Sequence, residues 1–201
     1  MKKWILLGIM GVGIGIWFSV STRPTIQNEQ RPVQVIVAFG NSLTSGKGAG
    51  GRSLSYPAVL AELTGLEVIN LGVSGELAVQ APARLPEVLA YGPDMVLIEF
   101  GANDYMQHLS MDDAVDAVEE IVDAVQKSGA IAVIVDTGGP GMEDYTKAYK
   151  KLAKEKGAIF VPGILKGIFR KRELKSDMVH PNAAGYEIIA ERVYEAIEPY
   201  L

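Results

Sequence analysis

The residue types in this chain most able to do chemistry together are a serine and a distant Asp-x-x-His. Ser42 lies in Gly40-Asn41-Ser42-Leu43, directly after the apolar, β-type run from Val33 to Phe39. Asp177 and His180 lie in Asp177-Met178-Val179-His180-Pro181-Asn182. A serine hydroxyl is a poor nucleophile until a base takes its proton. Imidazole titrates near neutrality, so His180 is the candidate base. Asp177 can accept from the second ring nitrogen, which holds the tautomer and stabilises the imidazolium. An acyl-transfer intermediate also needs donors for its oxyanion. The candidates are the Ser42 N–H, the Gly75 N–H in Asn70-Leu71-Gly72-Val73-Ser74-Gly75, and the Asn103 amide in Gly101-Ala102-Asn103-Asp104. A glycine at 75 permits the turn that aims its N–H inward and lets substrate approach closely. The chemistry expected is hydrolysis by a serine nucleophile.

These segments need elements that bring them together. Continuous Val- and Ile-rich runs at 33–39, 67–71, 95–100, 130–135 and 158–161 predict strands buried on both faces of a parallel sheet. Amphipathic stretches separate them. In 111–127, Val115, Val118, Ile121, Val122 and Val125 form one stripe, Ser110 is a candidate N-cap, and Gly129 ends the helix. Residues 144–156 predict a Lys-rich helix ending at Gly157. Residues 182–197 predict the last helix, capped by Asn182, with Ile188, Ile189, Val193 and Ile197 inward. Tyr56-Pro57 reads as a helix start with Pro57 at its first position. Strand–helix alternation predicts an α/β, three-layer α/β/α sandwich of the flavodoxin-like kind, with a five-stranded parallel sheet in the order 2-1-3-4-5. In such sheets ligands bind beyond the C-terminal strand ends, beside the first strand. All four segments then converge on one edge.

The four blocks resemble those of the SGNH, or GDSL-type, hydrolase family. Gly40 to Leu43 is similar to its nucleophile block, Asn70 to Gly75 to its glycine block, Gly101 to Asp104 to Gly-x-Asn-Asp, and Asp177 to Asn182 to Asp-x-x-His-Pro-Asn. The resemblance covers residues 33–199 and is greatest to small bacterial esterases of the lysophospholipase/thioesterase type. It implies Ser42 as nucleophile, Gly75 and Asn103 as oxyanion donors, Asp177 and His180 completing the triad, and a mechanism without metal or other cofactor. One departure stands out: the aspartate usual before the serine is Asn41 here. The change leaves the triad intact and removes one charge beside the nucleophile.

Composition narrows the alternatives. With 201 residues, 48 % hydrophobic and 21 % charged, the chain suits one globular domain. A net charge of −5 argues against a nucleic-acid partner. The basic run from Phe169 to Lys175 reads as a solvated face, with contact to anionic lipid or substrate as the alternative. The absence of cysteine excludes thiolate nucleophiles and disulfides, and two histidines without HExxH argue against a catalytic zinc. Met1-Lys2-Lys3 before the apolar run Trp4 to Val20 reads as a signal-anchor or a cleaved signal peptide over 1–21, with a polar tether over 22–32. Either reading puts the domain, 33–201, outside the cytoplasmic membrane, attached to it or secreted. The expected partner is a small ester, with a lipid-derived ester among the candidates, and the expected state is a monomer.

Several residues admit plainer roles. Asn70 suits support for the turn after the second strand, Asp104 a structural bond within its loop, and His108 an exposed position. Loops at 44–55, 76–82, 104–110 and 137–144 are expected to set specificity. The glycine-rich stretch 46–51 raises a rival, a nucleotide- or flavin-binding module, although its spacing departs from a P-loop. A carbohydrate O-acetylesterase and a binding protein without catalysis complete the alternatives.

Overall fold

The computed structural model describes residues 25–201. Its elements follow in chain order: β1 (Val35–Gly40), α1 (Ser42–Ser45), α2 (Tyr56–Thr64), β2 (Glu67–Asn70), α3 (Leu85–Ala90), β3 (Met95–Glu99), α4 (Ala102–Met106), α5 (Met111–Lys127), β4 (Ile131–Val135), α6 (Glu143–Lys156), β5 (Ile159–Val161) and α7 (Ala183–Ile197). Short 3₁₀ turns cover Arg52–Leu54, Ala78–Arg84, Arg172–Leu174 and Glu198–Tyr200. The sheet is parallel throughout, in the expected order β2-β1-β3-β4-β5.

Strand alternation divides the core in two. From β1, Val37 and Phe39 face a layer with α3, α5 and α6, where Ile121, Val122, Val125, Tyr149 and Leu152 are buried. Ile36 and Ala38 face the opposite layer with α2 and α7, among Tyr56, Leu60, Tyr186, Ile189 and Val193. The strands are hydrophobic at successive positions because both faces are covered.

Local signals set the helix ends. Ser110 accepts from Asp113 N (3.2 Å) and Asn182 from Gly185 N (3.1 Å), so both predicted caps form. Gly157 caps α6 in the left-handed region. Three details differ from expectation. Pro57 is the second residue of α2, after Tyr56, with Ser55 at the cap. Val115 is only half-buried, because Ala114 and Ala117 take the tighter positions against the core. The inner face of α7 is led by Tyr186, Ile189, Ala190 and Val193, with Ile188 at its margin.

The stretch expected to be a tether is docked where it is described. Ile26 is buried, Gln27 N donates to Gly157 O (2.9 Å), and the Asn28 amide donates to Gln126 O and Ala130 O. The apolar run Trp4 to Val20 lies outside the described residues. Among the described residues no helix is long and apolar enough to cross a membrane.

Candidate active site

The C-terminal ends of β1, β2 and β3 and the loop before α7 meet at one edge. Ser42 opens α1 immediately beyond β1, with Asn41 as its cap: Asn41 Oδ1 accepts from Leu43 N (3.1 Å). Ser42 Oγ lies 3.1 Å from His180 Nε2, although 138 residues separate them. His180 Nδ1 lies 2.8 Å from Asp177 Oδ2. Both histidine bonds are satisfied when Nδ1 carries the proton and the Ser42 hydroxyl donates to Nε2. Ser42 and His180 are nearly buried, whereas the Asp177 side chain is about half exposed.

The Asp177–His180 turn is held by Asp177 itself. Its Oδ1 accepts from Val179 N (2.9 Å) and His180 N (2.8 Å), while Oδ2 meets the ring. The bond to His180, followed by these backbone bonds, holds the carboxyl down at about 2, so it is ionised at any working pH. The ends of the turn are tied by Ser176 N to His180 O (3.0 Å) and by a bridge between Lys175 and Pro181.

The expected oxyanion donors are placed as follows. Gly75 has φ +86°, a conformation open chiefly to glycine, and the space where a side chain would stand is open. Asn103 is buried and one of its N–H groups donates to Glu76 O (2.8 Å), so the amide abuts the Gly75 turn and keeps a second N–H free. Neither the Ser42 N–H nor the Gly75 N–H finds a hydrogen-bond acceptor among the described residues.

A cavity of about 220 Å³ opens beside Ser42. Its walls are mostly apolar: Leu43, Met106, Met142, Leu165, Phe169 and Val179 line it with Tyr105 and Pro140. Two of the loops expected to set specificity, 104–110 and 137–144, supply wall residues. The loops at 44–55 and 76–82 do not, and the segment Leu165–Phe169 takes their place. The basic run is therefore not wholly a solvated face. Phe169 enters the wall, and Lys175 Nζ sits 5.7 Å from the centre of its ring.

The plainer expectations divide. Asn70 supports its turn, accepting from Gly72 N and donating to Thr44 O (2.8 Å). His108 is exposed and lies outside the cavity wall. Asp104 bonds outside its own loop, accepting from Ala78 N. Gly48 has φ +90°, and a methyl there would strike Ser176 Oγ and Pro181 O, so this glycine seats the loop after α1 against the histidine turn.

Three supporting residues carry no signal in the sequence. Arg84 joins Glu76 (2.7 Å) and Leu71 O (2.9 Å), clamping both ends of the glycine block. Buried Asp136 accepts from Thr146, Gly138 N and Gly163 N, joining the two loops that flank the cavity, and burial raises its carboxyl. Glu99, wholly buried, lies beneath the Ser42 turn. Glu99 lies 58 residues from Asn41, and Asp136 lies 27 from Gly163, whereas Arg84 and Glu76 are 8 apart. Among the described residues no cluster of His, Asp and Glu could hold a metal ion.

A doubly wound sheet with a serine, histidine and aspartate in line at its C-terminal edge defines a serine hydrolase acting on esters. Family comparison agrees, and the chain belongs to the GDSL-like lipase/acylhydrolase family, whose model matches residues 38–188. It is similar to the thioesterase 1/protease 1/lysophospholipase L1 of Escherichia coli (strain K12), 26 % identical over 174 residues, covering 82 % of this chain and 83 % of the relative. It is also similar to an arylesterase of Vibrio mimicus, 28 % identical over 180 residues, with 83 % and 89 % covered. The crystal structure of TesA superposes with a TM-score of 0.77 at 24 % identity, covering 84 % of this chain and all of that one.

Proposed function

We propose that the protein hydrolyses esters or thioesters of an apolar acyl group by two-step acyl transfer. Ser42 attacks the carbonyl carbon while His180 takes its proton. The tetrahedral oxyanion is received by the Ser42 and Gly75 N–H groups and the free N–H of Asn103. His180 then protonates the leaving alcohol or thiol. Water, deprotonated by His180, attacks the acyl-enzyme, releases the acid and restores Ser42. Asp177 stays ionised throughout and stabilises the imidazolium.

The observation that carries the acyl preference is the apolar cavity beside Ser42. Its 220 Å³ lies below the roughly 300–1,000 Å³ of sites for drug-sized ligands, yet offers far more than an acetyl methyl needs. Apolar walls favour a hydrocarbon chain over a sugar, which separates this reading from a carbohydrate O-acetylesterase. The N-terminal apolar run adds a proposed location, outside the cytoplasmic membrane. The test follows p-nitrophenyl ester hydrolysis from acetate to palmitate, with Ser42→Ala as control. Turnover is expected to peak at intermediate length and vanish in folded Ser42→Ala. An optimum at acetate would overturn the acyl preference, and turnover surviving in Ser42→Ala would overturn the nucleophile.

A further inference from the structure

Behind Ser42 lies a polar cluster that the acyl-transfer steps do not use. The Glu99 carboxylate, at the end of β3, has no exposed surface and, among the described residues, no cation against it. Four donors converge on it. Oε1 accepts from Asn41 Nδ2 (3.1 Å) and Thr137 Oγ1 (3.3 Å), and Oε2 from Thr44 Oγ1 (3.1 Å) and Asn41 N (3.4 Å). Three of these donors belong to the turn that carries Ser42. The fourth belongs to the loop that borders the cavity. The titratable groups facing Glu99 from the surrounding helices are Tyr56 of α2, Tyr149 of α6 and Tyr186 of α7, all kept neutral by burial.

Asn41 is the hinge of the arrangement. Its Nδ2 donates to Glu99 while its Oδ1 caps α1 through Leu43 N. An amide turned the other way would present N–H₂ to the Leu43 N–H and an oxygen to the carboxylate. A Glu99 carboxylate therefore permits one amide orientation only. That orientation keeps the first turn of α1, and with it the Ser42 hydroxyl and N–H, in place. An aspartate at position 41, usual in the family, would set two carboxyl groups about 3.1 Å apart with no cation between them. They could not both ionise there, because like charges at such range in a buried site force one to keep its proton.

We propose that Glu99 is a positioning residue for the ester-hydrolysing site: it orients the Asn41 amide, and the pair at positions 41 and 99 must hold one negative charge, neither two nor none. This rests on Ser42 being the nucleophile. Asn41 is then a matched partner of Glu99, and the same requirement is met when the two groups are exchanged by Asn41→Asp together with Glu99→Gln.

The experiment measures kcat and KM for wild type, Asn41→Asp, Glu99→Gln and the double variant, between about pH 6 and pH 9, with melting curves for each. In Asn41→Asp, the ratio of variant to wild-type kcat should be near one at pH 6 and fall about tenfold by pH 9, as the shared proton leaves the pair. Glu99→Gln should leave kcat close to wild type at pH 6, where the buried Glu99 carboxyl keeps its proton, and lower it about 3- to 10-fold by pH 9 with KM unchanged, since hydrogen bonds to an ionised acceptor are roughly twice as strong as neutral ones. The double variant should regain kcat to within about threefold of wild type and lose the pH dependence of Asn41→Asp. A flat ratio for Asn41→Asp, or a double variant no better than Glu99→Gln, would overturn the proposal. If Asn41→Asp fails to fold, the comparison of the double variant with Glu99→Gln decides alone. Activity in Ser42→Ala would instead overturn the nucleophile, so the two failures are distinct.

Discussion

The two halves of the site are held in opposite ways. The Ser42 half is buried, and its supports arrive from distant strands: Glu99 from β3, Thr137 from the end of β4, Asn70 from β2. In the other half His180 is nearly buried but Asp177 and Met178 stand at the surface, Met178 84 % exposed, and the turn is shaped within a few residues by Asp177 accepting two backbone N–H groups. The first is a product of the whole sheet, the second of one turn. Their charges follow suit. Burial raises the Glu99 carboxyl to about 7, while its bonds to His180 and the turn lower Asp177 to about 2.

The comparison breaks most visibly at Asp177. Asp177→Asn removes the charge behind His180 and unsettles its tautomer, so kcat should fall about 10²- to 10⁴-fold. Because the turn is exposed, the melting temperature should hardly move. A large loss of stability would mean that this half, too, is a global structure. Next comes Asn103→Ala, which removes one proposed oxyanion donor and should cost about 10²- to 10³-fold in kcat. Near-normal turnover in the folded variant would take Asn103 out of the oxyanion site.

Gly48→Ala probes the seam between the halves. A methyl there meets Ser176 and Pro181, so the histidine turn should shift away from Ser42. The expected loss is about tenfold or more in kcat, in line with the sensitivity of reaction rates to misplacement near 1 Å. Burst kinetics with a p-nitrophenyl ester would show whether acylation is the step that slows; an unchanged burst rate would argue that the turn is not seated by this contact.

The smallest effect is on stability, and the two carboxyls give it opposite signs. Glu99 has a folded value above its ordinary 4.5, so between about 4.5 and 7 the native state holds a proton that the unfolded chain has released. Its contribution to stability therefore declines as pH rises through that window. Asp177 has a folded value below its ordinary 3.8, so its contribution is complete above about 4 and is lost as pH falls through about 2. Exposure to solvent keeps that second contribution small. Melting curves from pH 4 to 8 should show wild type declining across that window and Glu99→Gln flattening the decline. An equal slope in both proteins would assign the decline to other groups.

The same division explains what can be read from the sequence. The Asp-x-x-His turn is legible because its geometry is written in consecutive residues. The strands are legible because both faces of each are apolar, and the caps at Ser110 and Asn182 because they act within three residues. Glu99 reads only as the polar end of a strand, since nothing adjacent reveals that three donors of the Ser42 turn will close on it. Asp136 is silent in the same way where it meets Gly163, 27 residues on. Leu165 and Phe169 do not read as cavity walls because a basic run follows them, and its charge suggests solvent.

Gln27 is bonded to Gly157, just ahead of β5, whereas Ser42 follows the far end of β1. In a sheet whose strands all run one way, the chain enters at one pole and the cavity opens near the other. The described segment at residues 25–28 and the cavity mouth therefore stand at opposite poles of the sheet, so a probe fixed at Gln27 would report on the scaffold and leave substrate entry unobstructed.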